Sequence, residues 1–271
     1  MIGKTGWFTG IGASDKEILV RDAWGGGKYA EAYWKYSPVD YSVLPQIRLE
    51  PLLRDRAREL DPKGVQYNSK VTDVREHADH VSVTVEGRGG TVEDVQAQYF
   101  LAADGGRGMA EVLNIGWDGE RDILNMITVH FEAEKLRSIH PDPDVFISWL
   151  NNPRMRGSFG TGYLYHLGPY DKYNASGNKG DLGNEYVLAA PKLSEDPAQF
   201  DEETTIARVR NSLGVPDLDI KVKSISHWLV NARVTEKYRS ESGRIFLVGD
   251  ACHRVPPCES SLDHSKCHGT Y

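Results

Sequence analysis

Residues 243–257 read GRIFLVGDACHRVPP, and the fold turns on how the first eight are taken. Ile245, Phe246, Leu247 and Val248 show no polar alternation, the pattern of a strand buried on both faces. Gly249 and Asp250 follow, at the carboxyl end where open α/β sheets expose ligand sites. Asp250 is thereby placed to accept hydrogen bonds from a sugar-like hydroxyl, although an acid after an apolar strand is also a common helix N-cap. Residues 99–106, YFLAADGG, repeat the grammar: an apolar strand, Asp104, then Gly105 and Gly106, which let a backbone approach a bulky ligand. Read alone, this is equally a tight strand-to-helix turn with a capping acid. Two such acids together point to one extended cofactor.

The rest of the chain bounds what that cofactor serves. At 271 residues it is long enough for one large domain or two smaller ones. A net charge of −7 with scattered basic residues argues against a nucleic-acid partner. No apolar run approaches the ~18 residues of a membrane helix, and MIGKTGWFTG lacks the apolar centre of a secretory signal, so no membrane and a reducing cytoplasmic setting are expected. Cys252, Cys258 and Cys267 are an odd number in no disulfide framework, and with His253, His264 and His268 they fit no standard zinc spacing. No metal is expected.

Residues 1–44 are rich in Gly, Trp and Tyr without sustained period and read as loops and short strands. LPQIRLEPLLRDRARELDPKG (44–64) places Leu49, Leu52, Leu53, Ala57 and Leu60 on one helical face, closed by Pro62 and Gly64. VQYNSKVTDVRE and HVSVTVEG predict a hairpin, and VQAQYFLAADGG one further strand running into the helix-like MAEVLNIG. Between 123 and 193, LNMITVHFEA, DVFISWL and EYVLAAP predict a mostly antiparallel sheet. DEETTIARVRNSLGVP predicts a helix with acids in its first turn and Ile206, Val209 and Leu213 on one face. Tyr163, Tyr165 and His166 are candidates to line a cavity but read first as sheet core, and His253, by its pKa a candidate general base, reads first as packing for the turn after Asp250, so no catalytic residue is assigned.

YFLAADGGRG resembles the second fingerprint, and GRIFLVGDACHRVPP the third, of the class A flavoprotein aromatic hydroxylases of the p-hydroxybenzoate hydroxylase fold. Within that family the chain is similar to the phenol and 2,4-dichlorophenol monooxygenases in the spacing from Asp104 to Ile115 and in the form of His253 to Pro257. LPQIRLEPLL looks like the family segment in which a glutamine, here Gln46, touches the ribityl chain of the flavin. The resemblance runs from about Trp24 to Pro257. It implies FAD held by Gln46, Asp104, Gly105, Gly249 and Asp250, NAD(P)H as reductant, and O2-dependent hydroxylation of a phenol. The carbonyl near Pro256 and Pro257 would face the substrate hydroxyl, and the sheet at 123–193 would roof it.

The implied architecture is α/β (α+β): an incomplete FAD/NAD(P)-binding Rossmann-like domain with a mostly antiparallel substrate domain. The expected spans are 1–122 for the first part of the FAD-binding domain, 123–193 for the substrate sheet, 194–257 for the return, and 258–271 for an unrelated or disordered tail. The chain departs from the family in lacking the opening strand, GxGxxG turn and helix that cradle the pyrophosphate. After Pro257, CESSLDHSKCHGTY replaces a glycine-rich turn and helix, as a misread exon boundary or frameshift would, and Gly108 stands where the family often has Ser or Thr. Such losses cost several kcal/mol against a domain stability of about 5 to 15 kcal/mol, so weak FAD binding, or none, is expected. A non-catalytic fragment or binding module is the alternative to a truncated phenol monooxygenase, and oligomeric state stays open, a homodimer included.

Overall fold

The computed structural model describes residues 4–23, 25–39, 44–142, 144–167, 183–194, 196 and 200–256. Trp24, Pro257 and the tail with Cys258 and Cys267 lie outside them. In chain order the elements begin with β1 (Lys4–Phe8), β2 (Glu17–Asp22), α1 (Ala30–Trp34) and α2 (Gln46–Leu60). Then come β3 (Lys70–Glu76), β4 (Val81–Glu86), β5 (Val92–Ala97), β6 (Phe100–Ala102), α3 (Met109–Val112), β7 (Trp117–Glu132) and α4 (Leu136–Ile139). The last are β8 (Val145–Asn151), β9 (Thr161–His166), β10 (Glu185–Pro191), α5 (Glu202–Leu213), β11 (Lys221–Thr235), β12 (Ile245–Leu247) and β13 (His253–Arg254). Among the described residues no helix is long and apolar enough to cross a membrane.

The chain divides into two compact units, residues 1–53 with 124–228, and 54–123 with 229–271. The boundaries expected from sequence separate by motif, whereas compactness groups the N-terminal strands with the antiparallel sheet. In the first unit the strand order is β11-β7-β10-β9-β8-β1-β2. β1 joins β8 in parallel and β2 antiparallel, so the sheet expected over 123–193 recruits strands from the N-terminus. Alternation along β7 sends Ile127, Val129 and Phe131, each 0% exposed, into the core with Phe8, Leu164 and Leu188. Helix α5 covers that core as the pattern predicts. Asp201 caps it by accepting from Thr204 N–H, Val209 and Leu213 are buried, and Gly214 ends it at φ +71°. Helix α2 forms over the predicted residues, but Leu49, Leu52, Leu53 and Leu60 all stay exposed.

A half-buried imidazole makes this unit sensitive to acid. His140 Nδ1 accepts from Asp142 N–H at 3.1 Å, its Nε2 lies 2.7 Å from Ser148 Oγ, and Phe8 meets its ring edge-on. Burial pulls its pKa from 6.5 down to about 4, against the opposing pull of Asp142. The unfolded chain therefore takes up a proton near pH 6.5 that the folded chain refuses until near 4. Stability present above pH 6.5 is lost progressively as pH falls through that window. Melting temperatures recorded between pH 7 and 4.5 are expected to fall, with a shallower slope for His140→Gln. An identical slope for both proteins would exclude His140 as the source.

In the second unit, β3-β4-β5 form an antiparallel sheet that includes the expected hairpin, with Val81 and Val83 buried. The single strand expected over VQAQYFLAADGG is two. β5 completes the antiparallel sheet, and after Gln98 and Tyr99 the chain turns so that β6 pairs in parallel with β12. The bond from Phe100 N–H to Arg244 carbonyl, 2.9 Å, starts that new pairing. The expectation of burial on both faces for 245–248 is also corrected. Ile245 and Leu247 are buried, but Phe246 is half-buried and Val248 is 38% exposed. One face is fully packed, Ile245 on Val81 and Val83 and Leu247 on Ala102, Ala110 and Ile115, whereas on the other Phe246 is partly covered by Tyr99, ring centres 6.3 Å apart.

Candidate functional site

The register Ile245↔Phe100, Phe246↔Leu101, Leu247↔Ala102 aligns the carboxyl ends of β12 and β6, and Val248 N–H extends it by donating to Ala102 carbonyl at 3.0 Å. Both acids therefore leave the same end of one parallel pair, as their matching grammar requires. Their carboxylates do different things there. Asp104 is half-buried, and its two oxygens accept from Gly106 N–H and Met109 N–H, each at 3.0 Å, so it fastens the turn and the start of α3. Asp250 is exposed in a 3-10 turn, Gly249–Ala251, and accepts no hydrogen bond or salt bridge from a described residue.

Glycine is used here for conformation and for close approach. Gly249, at φ +60°, has nothing within 4 Å of where a Cβ would stand, so the backbone beside Asp250 is open to a ligand. Gly106, at φ +70°, is the opposite case. A Cβ there would lie 2.7 Å from Asp250 carbonyl oxygen and 2.5 Å from Arg254 Nη2, so the two acid-bearing loops touch through it. Gly105, at φ +68°, is exposed.

Sequence reading passed over Arg254 inside HRVPP. Its Nη2 donates to Gly105 carbonyl at 3.0 Å and Gly106 carbonyl at 2.7 Å, while its guanidinium lies 5.7 Å from the Trp117 ring centre. Arg233, its cross-strand partner on β11, stacks on the same indole at 4.7 Å. His253 does not pack the turn after Asp250, as expected from sequence. It is exposed, with Nδ1 3.4 Å from Cys252 Sγ, and the buried residues of the turn are Ala251 and Cys252. β13 pairs His253 with Val234 of β11. Pro256 is half-buried, and Pro257 is outside the described residues.

Gln46 belongs to the first unit, at the start of α2, where its amide donates to Glu50. Tyr163 and Tyr165 sit on the sheet face opposite the main core, half-buried and stacked on each other at 5.9 Å, with Trp149 5.3 Å from Tyr163. His166 is buried on the core side, its Nε2 2.9 Å from Gly183 carbonyl, and burial lowers its pKa.

A carboxylate without a partner among the described residues, flanked by open glycine backbone at parallel strand ends, suits a polyol chain of the kind FAD carries. Comparison with known proteins gives the family. Residues 11–261 match a family described as FAD binding domain. The chain is 31% identical over 227 residues to 4-methyl-5-nitrocatechol 5-monooxygenase of Burkholderia sp, covering 82% of this chain and 38% of that protein. It is 29% identical to 2,4-dichlorophenol 6-monooxygenase of Cupriavidus pinatubonensis, covering 83% and 36%. The flavin-dependent monooxygenase PieE, solved with FAD and substrate, superposes with a TM-score of 0.81 at 24% identity over 95% of this chain and 42% of its own. The chain thus spans about two fifths of the length of these proteins.

Proposed function

Because the chain belongs to the FAD binding domain family, we propose that it supplies the ribityl-binding loops and the substrate sheet of a flavin-dependent hydroxylase of phenols, with NAD(P)H as reductant. One observation carries the proposal: two acid-bearing loops at adjacent parallel strand ends, of which Asp250 alone presents a carboxylate free of described partners. Bound FAD would supply electron transfer and O2 activation. The chain's own residues do the rest. Asp250 accepts hydrogen bonds from ribityl hydroxyls, and Gly249 and Gly105 keep side chains out of the cofactor's path. Asp104 acts one step back, holding the turn that carries Gly105. Pro256, by its place in HRVPP, is proposed to face the substrate ring, and in the first unit, taken by itself, Trp149, Tyr163 and Tyr165 form a half-buried aromatic face.

A second reading, a module that binds without turnover, is favoured by the thinness of the parallel sheet. Among the described residues it has two strands and leaves Leu101 65% exposed. Titration of the purified chain with FAD, followed by NAD(P)H oxidation and O2 uptake with added phenols, separates the two. The hydroxylase reading requires substrate-dependent consumption of both. Quenching of flavin fluorescence without turnover supports the module, and a chain that does neither defeats both.

A further inference from the structure

We infer that Arg254 is the positioning residue of the cofactor loops, the clamp that holds the glycine turn after Asp104 against the segment carrying Asp250. The inference rests on the proposed FAD site for its functional consequence. Its structural part stands on geometry alone. Gly105 and Gly106 both take left-handed backbone, at φ +68° and +70°, and direct two consecutive carbonyls to a single nitrogen of Arg254. That nitrogen reaches across 149 and 148 residues of sequence, from four positions beyond Asp250 to the carbonyls one and two positions beyond Asp104.

The surroundings leave the guanidinium little else to do. Among the described residues it makes no salt bridge, and it lies over the indole of Trp117, with Arg233 on the same ring. β13 fixes its backbone through the register Arg233↔Arg254. A cation held by carbonyl dipoles and an aromatic face, close to another cation, is an arrangement kept for what it orders. What it orders is the approach of Gly106 to Asp250 carbonyl, where a Cβ would leave only 2.7 Å. With the clamp released, the two loops are free to part, and Asp250 and the open backbone of Gly105 no longer face one ligand at a set spacing.

Arg254→Met and Arg254→Lys test this in the purified full chain by two independent readouts. The first is amide hydrogen exchange, without FAD, at Gly106 and Met109, whose N–H groups bond to Asp104. The second is FAD affinity by fluorescence quenching. Arg254→Met is expected to accelerate exchange at those two amides while leaving those of β4 unchanged, and to weaken FAD binding about tenfold. Both carbonyls bond to one nitrogen, so the ammonium of Arg254→Lys is expected to restore part of each effect. Unaltered exchange at Gly106 and Met109 in Arg254→Met overturns the inference, as does a Lys variant no better than Met. If Arg254→Met does not fold, the Lys variant alone decides, since a clamp requires faster exchange there than in the unaltered chain. If the unaltered chain shows no FAD binding, the functional reading fails, while the exchange measurement still decides the role of Arg254.

Discussion

Asp250→Ala is expected to weaken FAD binding about 100-fold while leaving the melting temperature almost unchanged. The two halves of that result have separate causes. The Asp250 side chain is exposed and accepts nothing from a described residue, so removing it takes away no contact that folding uses. Substitutions at such positions typically shift stability by less than about 0.5 kcal/mol. Toward a polyol, the same carboxylate offers oxygens that only accept, and hydrogen bonds to a charged acceptor contribute about 1.5–3 kcal/mol each. Two of them correspond to roughly 100-fold or more in affinity. Calorimetric titration with FAD and scanning calorimetry of the same preparations measure both. Undiminished affinity would remove Asp250 from the site, and a large fall in melting temperature would show that it is a structural acid after all.

For Asp104→Ala the expectation reverses: a loss of about 3 kcal/mol in the stability of the second unit, with FAD affinity lowered only as far as the turn moves. Both carboxylate oxygens are committed, one to Gly106 N–H and one to Met109 N–H. Gly108, at the N-cap of α3, has no side chain to take over. Truncation forfeits two charge-assisted bonds at once. Asp104→Asn keeps an acceptor and should lose about half as much. Urea unfolding followed through Trp117, which packs against the cluster of Ala102, Ala110 and Leu247, reads this directly. If Asp104→Ala unfolds at the same urea concentration as the unaltered chain, the two acids are equivalent and the division of labour argued here is lost.

That division shows how far local pattern reaches. Read from sequence, Asp104 and Asp250 have the same description: apolar run, acid, neighbouring glycine. Each could cap a turn or meet a ligand. The structure assigns the first role to one and leaves the second open to the other, because Met109 N–H folds back within reach of Asp104 while the 3-10 turn at Asp250 directs no described donor toward its carboxylate. The role of Arg254 is illegible in the sequence for a related reason. Its partners, two backbone carbonyls, have no signature in side-chain spelling.

The sequence by itself determined the features whose causes lie within a few residues. These are the helix at DEETTIARVRNSLGVP with its apolar face and its stop at Gly214, the hairpin of β3 and β4, and the placing of both acids just after apolar strands. Only the tertiary structure decided that VQAQYFLAA breaks between two sheets, that β1 and β2 join the strands beyond residue 123, and that Gly106 lies against Asp250. The physical reason is common to all three. A strand's partners and a turn's neighbours come from chain segments more than a hundred residues away, as Phe100 meets Ile245 and Thr5 meets Ile147, and hydrogen bonds formed at that distance override what the local pattern leaves equally open.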